Sequence, residues 1–190
     1  MMPDNMKQNK PINKVFIATS MDGYIADRDG GIGWLDTIPE INTIDSGYDA
    51  FTSEIDAFVF GRVTFETLCS FDMDWFYTKP VFVVSNTLDE IPQKYKDKAF
   101  LIKGTVPEIL AHVHQKGYYR LYIDGGGLIQ NFLKEDMIDE LVITTIPVLL
   151  GGGTPLFSSL PEQLNFECKR TTLYLDAIVQ NHYVRKRQSL

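Results

Sequence analysis

The chain has 190 residues, 44% of them hydrophobic and 23% charged, with a formal net charge of −7. Such a length and composition describe one globular domain with room for a proper core. The acidic balance argues against a general nucleic-acid or membrane-surface binder, so an anionic ligand would need local cations or backbone N–H groups. Cys69 and Cys168 form no motif and read as free thiols of a reducing compartment. The opening MMPDNMKQNKPIN has no apolar signal core, and no apolar run reaches membrane-spanning length, so a cytoplasmic, soluble protein is expected.

In chain order, residues 1–12 read as a loose polar tail and 13–188 as a single domain. KVFIATS, Lys14 to Ser20, is the first buried strand. MDGYIADRDGGIGW, rich in Gly and Asp, reads as a long shaped loop. A helix is expected within Pro39 to Ile55, where Tyr48, Phe51 and Ile55 are spaced to share a face. Asp56 to Gly61 is a short strand stopped by glycine, RVTFETLCS a helix, and Pro80 to Ser85 another strand.

AFLIKG continues the strands, and PEILAHVHQKG is an amphipathic helix with Pro107 in its first turn and Gly117 as its stop. YRLYID then GLIQNFLKE repeat the strand–helix order. DELVITTIPVLL, FECKRTTLYL and AIVQNHYVRKR close the chain as strands without helices between them. Repeated βα units followed by return strands predict an α/β domain of three layers, its sheet mainly parallel with antiparallel strands at the C-terminal end.

Two glycine triplets stand out, Gly125–Gly127 between a strand and a helix, and Gly151–Gly153 after the strand Leu141–Leu150. The first fails as a dinucleotide fingerprint because Gln130 takes the third glycine position, and no Walker A loop occurs. A glycine turn from a strand's carboxyl end into a helix nevertheless exposes unpaired N–H groups where the helix dipole favours an anion. The alternative is a tight turn that only lets the helix pack closely. The second triplet also has two readings, a tight loop or a shaper of the substrate side.

ATSMDGYIA, DGGIGWL, FGRVTFE, VVSN, IDGGGLI and PVLLGGGTPLF, in this order, resemble the dihydrofolate-reductase-like superfamily, and more closely its branch built on the reductase domain of bacterial riboflavin biosynthesis. The resemblance spans about Lys14 to Arg187. It implies a three-layer α/β/α dihydrofolate-reductase-like fold with NADPH lying across the strand ends. Gly61, Val63 and Thr64 would present N–H and hydroxyl groups to phosphate, and Arg62 would reach the adenosine 2′-phosphate. Ser85 and Asn86 would flank the same end of the cofactor, and Lys103 matches a basic position near the adenosine. Gly126 and Gly127 would approach the pyrophosphate, with Leu128 and Ile129 beginning the covering helix and a non-proline cis peptide joining Gly125 to Gly126. Ala18 and Ile25 would frame the nicotinamide, and Asp22 to Trp34 would form a closing loop. The branch also implies a homodimer.

Reducing a C=N bond requires a hydride donor and a proton source. Ser20 and Asp22, at the end of the first strand, and Asp49, on the following helix, are the candidate catalytic residues, with Asp45 a neighbour of the last. Asp124 has three readings: a substrate contact, a helix cap or a structural hydrogen bond. No basic cluster for a ribosyl phosphate accompanies either glycine-rich loop beyond Arg28, and no zinc-deaminase signature occurs. His112 and His114 lie two apart on a helix and point about 200° apart, which argues against joint metal ligation. Trp34, Trp75 and the Phe71–Tyr77 run read as core, substrate wall or dimer contact. The expected function is an NADPH-dependent reductase of a small heterocycle, similar to 5-amino-6-(5-phosphoribosylamino)uracil reductase. The alternatives are a dihydrofolate reductase and a catalytically silent NADPH-binding sensor.

Overall fold

The structure is a computed structural model that describes residues 10–71 and 74–187. The expected tail therefore lies mostly outside the described residues, and Ile12 already belongs to a strand. Among the described residues, ten strands and four α-helices follow one another: β1 (Ile12–Ser20), β2 (Tyr24–Ala26), α1 (Tyr48–Glu54), β3 (Ala57–Gly61), α2 (Arg62–Ser70), β4 (Val81–Val84), β5 (Ala99–Ile102), α3 (Val106–Gln115), β6 (Arg120–Asp124), α4 (Gly126–Lys134), β7 (Glu140–Ile146), β8 (Thr154–Pro155), β9 (Phe166–Tyr174) and β10 (Ile178–Arg185).

Eight strands form one sheet in the order β5-β4-β3-β6-β1-β7-β10-β9, and β2 pairs with β8 in a separate two-stranded arm. The large sheet is parallel as far as β7; β10 then runs antiparallel to both β7 and β9. Parallel strands covered on both faces must be apolar on both. AFVFG of β3 meets this requirement. Ala57 and Val59 pack with α3 and α4 residues such as Val113 and Phe132, whereas Phe58 and Phe60 pack with Phe51 of α1 and Phe65 of α2. The two faces of one strand thus build the two halves of an α/β/α sandwich.

Local sequence sets the helix boundaries. Thr105 and Glu108 close a capping box at the start of α3, with the Glu108 carboxylate accepting from the Thr105 N–H at 2.7 Å. The helix expected within Pro39 to Ile55 is confined to Tyr48–Glu54, because Gly47 in a left-handed conformation (φ 79°) separates it from a 3-10 turn at Ile41–Thr43. The Lys79 ammonium donates to the Thr52, Ser53 and Ile55 carbonyls and so covers the C-terminal end of α1. The expected long strand ends at Ile146, and the loop expected from Met21 to Trp34 contains β2. No helix among the described residues is long and apolar enough to cross a membrane.

Candidate functional site

The sheet splits at its centre. β6 stays paired with β3 as far as Asp124, but pairs with β1 only over Ile12–Lys14. Beyond Lys14 the β6-facing edge of β1 has no ladder partner, and the Tyr122 hydroxyl donates across the gap to the Phe16 carbonyl at 2.6 Å. A cleft of about 800 Å³ opens along the carboxyl ends of these strands, the place where open α/β sheets bind ligands. One wall carries Phe16, Ala18, Ile25, Ile32 and Leu35; the floor carries Tyr122, Asp124 and the first glycine triplet; the far end carries Arg62, Ser85, Asn86 and Gly104.

Two helices begin on that floor. α2 and α4 are nine residues each, and neither has a side-chain cap at its N-terminus. Their first turns meet through glycine: a Cβ on Gly125 would lie 2.7 Å from the Thr64 hydroxyl oxygen and 3.4 Å from the Gly61 nitrogen. Gly125 also takes φ 107°, which a side chain would strain. Glycine at 125 therefore lets two positive helix ends approach one spot beside Gly61, where uncapped N–H groups suit an anionic bridge such as a pyrophosphate. The peptide between Gly125 and Gly126 is trans: the described residues contain no cis bond, and the positive φ of Gly125 makes the sharp strand-to-helix turn instead.

Most residues expected around a cofactor converge here. Ala18, Ile25, Gly61, Arg62, Val63, Thr64, Ser85, Asn86, Gly125, Gly126, Gly127 and Leu128 all line the cleft. Two do not. Lys103 is exposed just outside the lining, and Ile129 is fully buried in the core under α4. Ser85 and Asn86 also shape the rim: the Ser85 hydroxyl accepts from the Leu88 N–H at 2.9 Å, and the Asn86 amide oxygen from the Gly104 N–H at 3.1 Å.

The expected catalytic residues fall elsewhere. Ser20 is buried and donates to Asp22 at 2.6 Å, while the Asp22 carboxylate accepts from the Leu150 and Gly151 N–H groups at 3.1 and 2.7 Å. These bonds hold the Asp22 carboxyl below its ordinary range, the Ser20 bond most. Both side chains thus tie the first loop to the second glycine triplet, away from the cleft lining. Asp49 is exposed on α1, beside a shallow depression bounded by Thr43–Tyr48.

Besides Glu135, exposed at the C-terminal end of α4, the acid that lines the cleft is Asp124. Burial pushes its pKa up to about 6, against the opposing pull of the Gly125 N–H, which donates to Oδ1 at 2.7 Å. Tyr48, Tyr77 and Tyr122 are its neighbours. Burial first, and the Asp124 charge as a further cause, raise all three hydroxyls, that of Tyr48 to about 12. A raised carboxyl among neutral phenols, at the foot of a cleft, is a group poised to hold a proton near neutral pH.

A family model, the RibD C-terminal domain, matches residues 13–179. The chain belongs to the RibD C-terminal domain family. A Shewanella sp. PV-4 protein provisionally assigned to riboflavin biosynthesis is 53% identical, with a TM-score of 0.88 over 93% of this chain and 99% of that one. The Thermotoga maritima diaminohydroxyphosphoribosylaminopyrimidine deaminase/5-amino-6-(5-phosphoribosylamino)uracil reductase shares the fold at 14% identity and a TM-score of 0.70, over 93% of this chain and 57% of the longer enzyme. Enterococcus faecalis dihydrofolate reductase, complexed with NADP(H) and RAB-propyl, shares it at 18% identity and a TM-score of 0.65, over 93% and 97% of the two chains.

Within this RibD-type domain the second glycine triplet has a structural role. A Cβ on Gly153 would collide with the Ala26 carbonyl oxygen, and Gly153 has φ 137°. The triplet lets β8 lie flat against β2, and the Arg28 guanidinium donates to the Gly151 carbonyl at 2.6 Å. The arm so formed closes on the cleft floor: a Cβ on Gly126 would lie 2.9 Å from the Ile25 Cδ1.

Proposed function

We propose that this RibD-type domain is an NADPH-dependent reductase of a small flat heterocycle. The observation that carries the reading is the meeting of the α2 and α4 N-termini at Gly61 and Gly125, with Arg62 and Asp124 both lining the same cleft. The residues present fit the dinucleotide. The paired helix ends suit its pyrophosphate, and Arg62 suits a 2′-phosphate. The apolar wall of Ala18 and Ile25 beside the unpaired edge of β1 suits a nicotinamide ring and its carboxamide. Bound there, the cofactor would supply hydride.

The chain's own residues would do the rest. Ile25, Ile32 and Leu35 exclude water from the reacting carbons. Tyr122 bridges the strand gap through its bond to the Phe16 carbonyl and lines the cleft. Asp124 Oδ1 is engaged by Gly125, so Oδ2 carries the proton that the substrate nitrogen takes as the C=N bond is reduced. Asp49 is exposed on α1 and outside the cleft lining, so the carboxylate expected on that helix to anchor a pterin does not reach the cleft, which favours this reading over a dihydrofolate reductase.

The test is loss of reduced-nicotinamide absorbance with ribosylaminopyrimidines, pterins and flavins in turn. NADPH consumption dependent on one of these supports a reductase. Tight NADPH binding with no turnover of any, and no effect of Asp124→Asn on ligand binding, would instead support a silent sensor.

A further inference from the structure

We propose that Glu66 sets the preference between phosphorylated and unphosphorylated dinucleotides by occupying the Arg62 guanidinium that a 2′-phosphate would take. The inference rests on reading the cleft as a dinucleotide site. Arg62 is the first residue of α2 and Glu66 lies one turn on, so their side chains share a face of the helix. A single Arg62 nitrogen, Nη1, donates to both Glu66 carboxylate oxygens, at 3.0 and 2.7 Å. The pair draws the guanidinium along the helix. It also places a full negative charge within hydrogen-bond reach of the group meant to receive a phosphate.

Two charges govern the exchange. Arg62 sits at the positive end of the α2 dipole, where a cation is unfavourable, and Glu66 offsets that cost while the site is empty of phosphate. The pair is weak, because both side chains are close to half exposed (44% and 47%), so a doubly charged phosphate can displace the carboxylate. Binding a 2′-phosphorylated dinucleotide is therefore an exchange of one anion for another, and the discrimination Arg62 delivers is reduced by what Glu66 holds. An unphosphorylated dinucleotide leaves the pair intact and is indifferent to it.

The test is calorimetric titration of the wild-type chain, Glu66→Gln and Glu66→Ala with NADPH and NADH. Both variants should tighten NADPH by roughly two- to fivefold, the worth of a weak exposed pair plus relief of like-charge repulsion, and leave NADH within experimental error. The gain should shrink at high salt, since both partners of the exchange are screened. Unchanged or weakened NADPH binding, or equal tightening of both nucleotides, overturns the assignment while leaving the dinucleotide site standing. Failure of the wild-type chain to bind either nucleotide removes the site itself and this inference with it.

Discussion

Gly125 lies against Gly61 so closely that a Cβ on Gly125 would sit 3.4 Å from the Gly61 nitrogen and 3.5 Å from its Cα. This contact brings the starts of two helices together at the bottom of the cleft. It rests on the absence of a side chain at Gly125, where φ is 107°. Gly125→Ala should cost about 1–3 kcal/mol of stability, from backbone strain and contact with the Thr64 hydroxyl, and should abolish NADPH binding. Gly127 is different: a Cβ there meets nothing within 4 Å and replaces a helical glycine. Gly127→Ala should keep or slightly raise stability, by up to about 1 kcal/mol, yet weaken NADPH where the pyrophosphate needs the backbone. Urea denaturation and nucleotide titration of both variants separate the two effects.

Arg62→Ala should weaken NADPH by about tenfold or more, the worth of a charge-assisted contact, and NADH by less than twofold. Equal losses for both nucleotides would remove Arg62 from the 2′-phosphate.

Asp124 ties activity to pH. As an acid with a pKa of about 6, it is the active form when protonated, so kcat/KM should hold steady below that value and fall about tenfold per pH unit above it. Asp124→Asn should remove the pH dependence together with most of the turnover. A flat wild-type profile from pH 5 to 8 would rule out Asp124 as the donor.

The same carboxyl affects stability. Its folded pKa is raised above the unfolded value of about 3.9, so its favourable contribution is complete below that value and is lost as pH rises through about 6. Above pH 6 the buried charge costs on the order of 3 kcal/mol. Asp124→Asn should therefore stabilise the protein more at pH 8 than at pH 5. Denaturant midpoints at the two values, with an unchanged slope, check this.

Asp22 behaves in the opposite sense. Its folded pKa is lowered, so the stability from its bonds to Ser20, Leu150 and Gly151 is present at neutral pH and is lost as pH falls through the lowered value. Asp22→Ala should speed amide exchange at Leu150 and Gly151 and in β2, while the buried strands β1, β3 and β6 keep their protection. Unchanged exchange at Gly151 would mean that the carboxylate does not hold the two loops together.

Much of the cleft lining was legible in the sequence, because GRVT, SN and DGGG form turns and helix starts that short motifs determine. The layers were legible for the same reason: strands such as AFVFG are apolar on both faces, and α3 carries its own capping box. The acid was harder to read. Ser20 and Asp22 stood at a strand end and pointed to catalysis, but their partners at Leu150 and Gly151 are some 130 residues away in sequence. Asp124 drew three readings because its setting is assembled from Tyr48, Tyr77 and Tyr122, which no local pattern links. Its bond to the Gly125 N–H makes the structural hydrogen bond among those readings, and its place in the cleft lining is what the proposed substrate contact rests on. The trans bond after Gly125 corrects what the family resemblance implied, and the second triplet turned out to serve the β2–β8 arm.

The most direct test of the central claim is calorimetric titration of the wild-type chain with NADPH. The account predicts saturable binding of one nucleotide per chain, lost in Gly125→Ala and weakened in Arg62→Ala. Absence of binding, or binding that Gly125→Ala leaves intact, would contradict it.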